Sequence, residues 1–249
     1  MNWSTSDGTA EEGEILAENV AAADLDIGFG TLPLPVYKYS SKTVAVPIEL
    51  LQDSAVDIEA FVRGRLVARL GRITNKHFTI GTGSGQPNGI VTAATAGKVG
   101  TTGQTTTVIY DDLVDLEHSI DPAYREGGNC AFMMNDSSIK GLKKLKDTTG
   151  RPIFLPDYDI NNNGKVDRIL GYPVRTNQSV VVMAANAKSI MFGDLSKYVI
   201  RDAMMIEMLR FTDSAYAKKG QVGFLAFLRS GGNLMDVGGA IKYYQNSAT

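Results

Sequence analysis

The sequence of 249 residues can form one large domain or two small ones, and its 43% hydrophobic residues suffice for a packed core, which excludes a disordered chain. The formal net charge of -2 at pH 7 argues against a dedicated nucleic-acid-binding domain, because such domains are usually strongly basic. With a single cysteine, Cys130, no intramolecular disulfide can form. No signal-peptide pattern and no long apolar run is present, so we predict a soluble protein made in the cytosol.

The charges are distributed unevenly along the chain. The first 37 residues contain no Lys or Arg and carry a net charge of -7, from Asp7, Glu11, Glu12, Glu14, Glu18, Asp24 and Asp26. The remainder has 25 basic and 20 acidic residues, a net charge of +5. Opposite charges attract, so this pattern favours contact between the acidic segment and the body of another copy of the chain.

Residues 1–48 are predicted to form a long β-hairpin that extends from the body. Strand-like pieces at Glu14–Asn19 and Val36–Pro47 flank a polar middle that contains glycine. A solvated hairpin on a monomer is the alternative interpretation.

A long helix is predicted from Asp57 to Thr79, with Ser54 and Asp57 forming a capping box at its start. At 1.5 Å per residue this spine helix is about 35 Å long. At helical spacing one face is apolar, with Val62, Leu66, Leu70, Ile73 and Ile80. Beside it lies a basic stripe of Arg65, Arg69, Arg72 and Lys76. Gly64 and Gly71, one heptad apart, predict a close packing contact on a third side.

After the helix, the run GTGSGQPNG from Gly81 to Gly89 predicts a tight chain reversal, with Pro87 fixing φ and Gly89 supplying a positive φ. Periodicity then predicts two helices, Tyr110–Ile120 and Ser137–Lys146. It predicts β-strands at Asn129–Met134, Arg168–Arg175, Val180–Met183, Tyr198–Thr212, Gln221–Arg229 and Ala240–Tyr244. The helices and strands follow no regular βαβ order, which favours an α+β fold.

Several motifs resemble the major capsid proteins of tailed bacteriophages, which share the Hong Kong 97 fold. The motifs are W.TSDG from Trp3, AEN from Ala17, D..FG from Asp26, ELLQDS..D.EAF from Glu49, F..GTGSGQPNGI from Phe78, LGYPV from Leu170 and GQVGFLAFLRSGG from Gly220. The resemblance spans nearly the whole chain, and its motifs are structural. Many relatives have an acidic residue in the last turn of the spine helix, where this sequence has Thr74 and Asn75.

The resemblance implies an α+β, Hong Kong 97-like capsid fold with three parts. Residues 1–48 would be an extended loop, residues 49–107 and 186–236 a peripheral domain with the spine helix, and residues 108–185 and 237–249 an axial domain. The implied function is a major capsid protein that assembles into pentamers and hexamers of an icosahedral shell around double-stranded DNA. It would be found in the virion after assembly in the bacterial host cytoplasm.

The resemblance also implies partners and contact residues. The partners would be other copies of the chain, packaged DNA bound without sequence specificity, the portal, and scaffold or decoration proteins, with no membrane. In the family the extended loop reaches over a neighbouring subunit, which here indicates Trp3, Glu18, Asp24, Asp26 and Phe29 as contact residues.

Some relatives join their subunits by an isopeptide bond from a lysine of the extended loop. Alignment of AENVAAADLDIGF places Ala22 at that position, and Met1 to Tyr37 contains no lysine. The sequence therefore predicts a shell without this covalent link.

Two rival functions remain. An encapsulin-like compartment would have the same fold around a protein cargo. A calcium-binding, β-rich adhesion module would use Asp159, Asn161, Asn163 and Asp167, which resemble half an EF-hand loop, but Leu170 occupies the position of the bidentate acid. A plain Asn-Gly turn at Asn163 and Gly164 is the alternative.

Other sequence features do not form a recognisable catalytic or cofactor site. The glycine run lacks the lysine and hydroxyl of a phosphate-binding loop. His77 and His118 form no metal cluster with Cys130 and have no visible nucleophile. We therefore predict no enzyme activity, no cofactor and no metal. The basic stripe is interpreted as a solvated face, as a partner for carboxylates across an interface, or as a surface that faces packaged DNA.

Overall fold

The computed structural model describes residues 2–6, 8, 11–146, 149–151, 153 and 168–249. They divide into two compact units. Unit 1 comprises Met1–Pro33, Ile90–Val199 and Leu234–Thr249, and unit 2 comprises Leu34–Gly89 and Ile200–Asn233. The mixture of helices and strands confirms the α+β prediction. No described helix has the length and hydropathy needed to span a bilayer.

The first half of the chain contains most of the helices, including the long helix. They are β1 (Asn2–Thr5), β2 (Gly30–Pro33), β3 (Tyr37–Ser40), β4 (Val44–Pro47), α1 (Ile48–Asp53), α2 (Ile58–Ile80), α3 (Ile90–Ala93), β5 (Thr95–Val99), α4 (Tyr110–His118) and α5 (Pro122–Glu126).

The second half contains most of the strands. Its elements are β6 (Cys130–Met134), α6 (Asp136–Leu142), β7 (Arg168–Ile169), β8 (Tyr172–Thr176), β9 (Lys188–Asp194), a 3-10 turn (Leu195–Lys197), β10 (Tyr198–Phe211), α7 (Ser214–Ala217), β11 (Gln221–Leu234) and β12 (Ile241–Gln245).

Unit 1 is built on a six-stranded mixed sheet of order β5-β12-β9-β6-β8-β7. Strand β6 lies inside the sheet, between β8 and β9, and all five of its residues are buried. A strand covered on both faces is expected to be apolar throughout, as the sequence CAFMM is. Leu113 and Leu116 of α4 complete this core, in which the Phe132 and Phe192 rings lie 4.4 Å apart.

Unit 2 is built on helix α2 and a four-stranded antiparallel sheet. Strand β11 pairs with β10 on one edge and with both β3 and β4 on the other. The helix contributes Val62, Leu66 and Leu70 to a core shared with Val222 and Phe224 of β11. Burial of this apolar stripe against the sheet provides the stability that a lone helix of this length lacks.

Helix α2 confirms the predicted spine helix, with three differences in detail. The side chain that caps it is Asp57, which accepts a hydrogen bond from the Ala60 amide at 2.9 Å, whereas Ser54 ends the preceding helix α1 and caps nothing in α2. Ile73 and Ile80 are only partly buried, while Thr74 and Thr79 are buried and donate their hydroxyls to helix carbonyls. The sequence could not show that the preceding residues form a helix of their own.

The prediction of a close packing contact at Gly64 and Gly71 is wrong for contacts within a single chain. A Cβ atom at either position would meet nothing within 4 Å. Gly89 also differs from its prediction, because it lacks a positive φ. Its Cβ would instead lie 2.4 Å from the Gly81 nitrogen, so the close approach of two backbone segments requires glycine there.

Other differences concern short elements. Glu14–Asn19 is irregular and fully exposed, and residues 37–47 form two strands that pair with β11 rather than with the N-terminal segment. Residues 180–183 form no strand, and the second predicted helix ends at Leu142. Helix α1 and strand β9 were not predicted. The hypothetical calcium-binding loop at residues 159–167 lies outside the described residues.

Candidate assembly surfaces

The N-terminal arm, residues 2–33, is tied at its base by antiparallel pairing of β1 with β2. Trp3 faces Leu32 in this ladder and is 41% exposed. Residues 11–30 are all exposed. Within this segment the Ala23 amide donates a hydrogen bond to Glu14 Oε1 at 2.5 Å, and Asn19 adopts a positive φ in a turn.

The arm exposes both charged and apolar side chains. Glu18, Asp24 and Asp26 are exposed, as predicted for contact residues. Ile15 and Phe29 are 102% and 78% exposed, so large apolar groups lie in solvent next to these carboxylates. Monomeric soluble proteins rarely expose several large apolar side chains in one segment, and such a segment marks a surface for interaction.

The basic stripe is exposed along α2. Arg65, Arg69, Arg72 and Lys76 are all exposed, and in the part of the chain that the structure describes none of them forms a salt bridge. The contacts of Arg65 and Arg69 are weak: Arg65 lies 5.6 Å from the Phe61 ring centroid, and Arg69 Nη1 lies 3.5 Å from the Ser41 carbonyl oxygen. These four cations are therefore available to an external anion.

Near the C-terminal end of α2, the helix residue His77 contacts Tyr39 of strand β3. Tyr39 Oη and His77 Nδ1 lie 3.3 Å apart, with ring centroids 5.6 Å apart. Burial raises the pKa of Tyr39 to about 12, and the neighbouring Tyr37 contributes to the rise. Burial also lowers the pKa of His77, and the positive charge of Lys76 acts in the same direction.

The glycine run closes the end of α2. The Gly81 amide donates to the His77 carbonyl at 2.9 Å, and Gly89 donates to the Gly81 carbonyl at 2.9 Å. Asn88 Nδ2 donates to Asn233 Oδ1 at 3.0 Å, which links the turn to the end of β11. These contacts support the predicted chain reversal, and they occupy backbone groups that a phosphate-binding loop would direct at its ligand.

Several polar groups within unit 1 have structural partners. Buried Tyr244 places its hydroxyl 3.4 Å from Asp112 Oδ2 and 3.1 Å from Gln104 Oε1, and Lys98 lies 3.7 Å from Asp112 Oδ1. Burial and then the charge of Asp112 raise the pKa of Tyr244. Cys130 is buried, and burial raises the pKa of its thiol, which disfavours the reactive thiolate. Among the described residues, no group of three His, Cys, Asp or Glu side chains is arranged to hold a metal ion.

Comparison with known proteins places this arrangement in context. The model of the phage capsid family matches residues 1–246. The capsid of a native GTA particle is 27% identical, with a TM-score of 0.82 over 99% of this chain and 85% of that chain. The structures from Mycobacterium phage Adephagia (14% identity, TM-score 0.71, 100% of this chain and 85% of that chain) and Gordonia phage Cozz (16%, 0.68, 100% and 81%) share the fold.

A search of curated proteins finds no match. The family match covers nearly the whole sequence, and the fold agrees with solved capsid structures of the Hong Kong 97 type along the whole chain. Capsid proteins of this family are structural components of the virion and are not enzymes. The exposed arm and the unpaired basic stripe are therefore surfaces of a shell subunit, and the chain belongs to the phage capsid family as a major capsid protein.

Proposed function

We propose that this capsid protein assembles into pentamers and hexamers that close an icosahedral shell around double-stranded DNA. The observation that carries the proposal is the arm, which exposes acidic and apolar side chains together and buries none of residues 11–30 within its own chain. A segment of this kind acquires its packing from another copy. The solved GTA capsid, computed with C5 symmetry, supports fivefold rings in a relative.

The charge distribution supports unit 2 of another copy as the region that the arm contacts. The arm, up to Pro33, carries a net charge of -7, and unit 2 contains 12 basic and 7 acidic residues, a net charge of +5. The rest of unit 1 contains 13 residues of each sign and is neutral. Electrostatic complementarity therefore favours contact between the arm of one copy and unit 2 of another, with Glu18, Asp24 and Asp26 as charged contacts. Trp3 and Phe29 would add apolar contact.

The division into an extended loop, a peripheral domain and an axial domain, with the boundaries predicted from the sequence, is part of this proposal. Helix α2 and strands β10 and β11 of unit 2 would form the larger part of the peripheral domain, and strands β3 and β4 of the same sheet fall within the predicted loop boundaries. Strands β6, β7, β8 and β12 of the six-stranded sheet would lie in the axial domain, and strands β5 and β9 of the same sheet fall within the predicted peripheral boundaries. Assembly in the bacterial host cytoplasm and contacts with a portal, and with scaffold or decoration proteins, also belong to the proposal.

Electron microscopy of purified particles, combined with extraction of their contents, tests the proposal. After nuclease treatment of the exterior, we expect closed shells that still contain double-stranded DNA. Shells that contain protein and no nucleic acid would instead identify an encapsulin-like compartment. Absence of closed shells under all assembly conditions would contradict the capsid proposal.

We further propose, as the alternative to contact with a neighbouring arm, that the basic stripe faces the packaged DNA. Changing Arg65, Arg69, Arg72 and Lys76 to Gln removes four phosphate contacts per subunit, so we expect particles of normal size that retain less DNA and lose it at lower salt. A matched control changes four exposed lysines of unit 1, Lys140, Lys143, Lys144 and Lys146, to Gln. Equal DNA loss in the two variants would show that the position of the positive charges does not matter, which would contradict the proposal. If the variant of the basic stripe fails to assemble, the stripe is a subunit interface instead.

The shell is expected to be held by non-covalent contacts alone. No lysine occurs before Lys38, so the arm has no amine side chain for an isopeptide bond. Mature particles boiled in detergent with a reductant should give one band at the monomer mass of 26.8 kDa. A ladder of covalent pentamers and hexamers would contradict this. Because arm contacts are partly electrostatic, particles should also lose subunits more readily in high salt.

A further inference from the structure

Strand β10 forms one edge of the sheet in unit 2. It pairs with β11 along one side, and no strand of the described residues pairs with its other side. It is 14 residues long and contains no proline and no lysine. Lysine and proline are two of the devices that natural proteins use to block edge-to-edge pairing, and this edge has neither of them.

Exposed residues occur on both faces of the strand, and six of its 14 residues are partly buried. Met205 is 88% exposed, Ile200 is 50% exposed, and Ile206 and Met208 are 40% and 37% exposed. No residue of β10 belongs to the buried core of unit 2. An edge of this length that exposes large apolar side chains and lacks lysine and proline is a hazard for a free monomer, so we expect it to be covered in the assembled protein.

The signs of the charges in β10 read the same from both ends of the strand, and the charged residues lie at different distances from Met205. Arg201 and Asp202 lie on one side of Met205, and Glu207 and Arg210 lie on the other. The sequence of signs from one end is plus, minus, minus, plus, and it is the same from the other end. The four residues sum to zero, so the strand offers no net positive charge to the acidic arm.

We propose that β10 pairs with β10 of a second copy, antiparallel and centred on Met205. The inference rests on the proposed function, because such a contact is isologous and lies on a two-fold axis. Contacts within a ring of five or six are head-to-tail, whereas an isologous contact joins two copies across a two-fold axis. The paired strands would therefore connect neighbouring rings of the shell.

This register brings opposite charges together. With Met205 opposite its equivalent, Arg201 lies opposite Leu209 and diagonal to Glu207 of the second copy. Asp202 lies opposite Met208 and diagonal to Arg210. Diagonal neighbours on the same face of an antiparallel pair are about 7–8 Å apart at their Cα atoms, within reach of arginine side chains. The two-fold repeats both pairs, which gives four ion pairs and a continuous eight-stranded sheet across the contact.

Cysteine cross-linking in assembled shells tests the register. Met205→Cys places two thiols directly opposite each other, so mild oxidation should convert most subunits to a band of twice the monomer mass. Ile200→Cys is the matched control on the same strand, because its two copies would be ten residues apart, about 34 Å. The native Cys130 is 1% exposed and does not compete.

Dimers from Met205→Cys and none from Ile200→Cys support the proposal. Wild-type shells that form normally, combined with no Met205→Cys dimer or with equal dimers from both variants, overturn it and leave the proposed function intact. If the wild-type chain forms no shells at all, the proposed function itself fails.

Charge reversal gives a second test that does not depend on a cysteine. Arg201→Glu places two negative side chains on the diagonal, so we expect a several-fold lower yield of closed shells at low salt. Adding Glu207→Arg to the same chain restores opposite charges across the two-fold and should restore the yield. A single variant that assembles like the wild type, or a double variant no better than the single, would overturn the inference.

Discussion

The arm and helix α2 contain the same kinds of residue and behave in opposite ways. Both combine large apolar side chains with a row of charges. In α2 the apolar side chains Leu66 and Leu70 are 0% exposed because strands of the same chain cover them, whereas in the arm Ile15 and Phe29 have no such cover. Apolar composition alone therefore does not show where a segment packs. The difference lies in whether the complementary surface is in the same chain or in another copy.

The largest expected effect comes from a change on the covered face of α2. Leu66→Asp places an unpaired carboxylate in a fully buried site, so the free energy of unfolding should fall by about 4 kcal/mol or more. We expect insoluble or unassembled protein in expression and gel-filtration assays. The control is Val67→Asp on the same helix, where the side chain is 41% exposed and a change within about 1 kcal/mol is expected. Equal solubility of both variants would contradict the assigned face.

Removing the arm should affect assembly and spare folding. A chain that begins at Leu34 keeps this buried residue of unit 2 and loses the whole arm. Because residues 11–30 are all exposed in their own chain, we expect thermal melting within a few degrees of the full-length protein, and no closed shells in negative stain.

A milder variant sharpens the same contrast. Phe29→Ser changes a 78% exposed side chain, so it should leave the melting of the isolated subunit unchanged and reduce the yield of shells. If the chain that begins at Leu34 forms shells of ordinary diameter, the arm is not required for assembly.

The smallest expected effect is on the pH dependence of stability, through His77 near the C-terminal end of α2. Burial lowers the pKa of His77 in the folded chain, so protonation is less favourable there than in the unfolded chain, where the ordinary pKa is about 6.5. Its contribution to stability is therefore complete above about pH 6.5 and is lost as the pH falls below it. His77→Gln should reduce the drop in denaturation midpoint between pH 8 and pH 5.5. An unchanged drop would assign the acid sensitivity to other groups.

Sequence periodicity predicted the long elements because their patterns are local. The 3.6-residue spacing of Val62, Leu66 and Leu70 predicts a helix whatever it packs against, and the buried run at Cys130–Met134 is typical of an inner strand. The motifs along the chain gave the family, and the absence of lysine before Lys38 gave the prediction of a non-covalent shell. Each of these depends only on the order of residues.

The tertiary structure decided where the surfaces lie. The sequence shows that Tyr198–Phe211 is a strand but not that it lies at an edge with Met205 exposed, because strand order depends on pairings between distant residues such as Tyr39 and Leu228. It also predicted a packed side at Gly64 and Gly71 where a single chain leaves open space. The same physical reason explains why the sequence could not locate either surface. A local pattern indicates which residues should pack away from water, and only the complete arrangement of strands determines which of them the chain itself can cover.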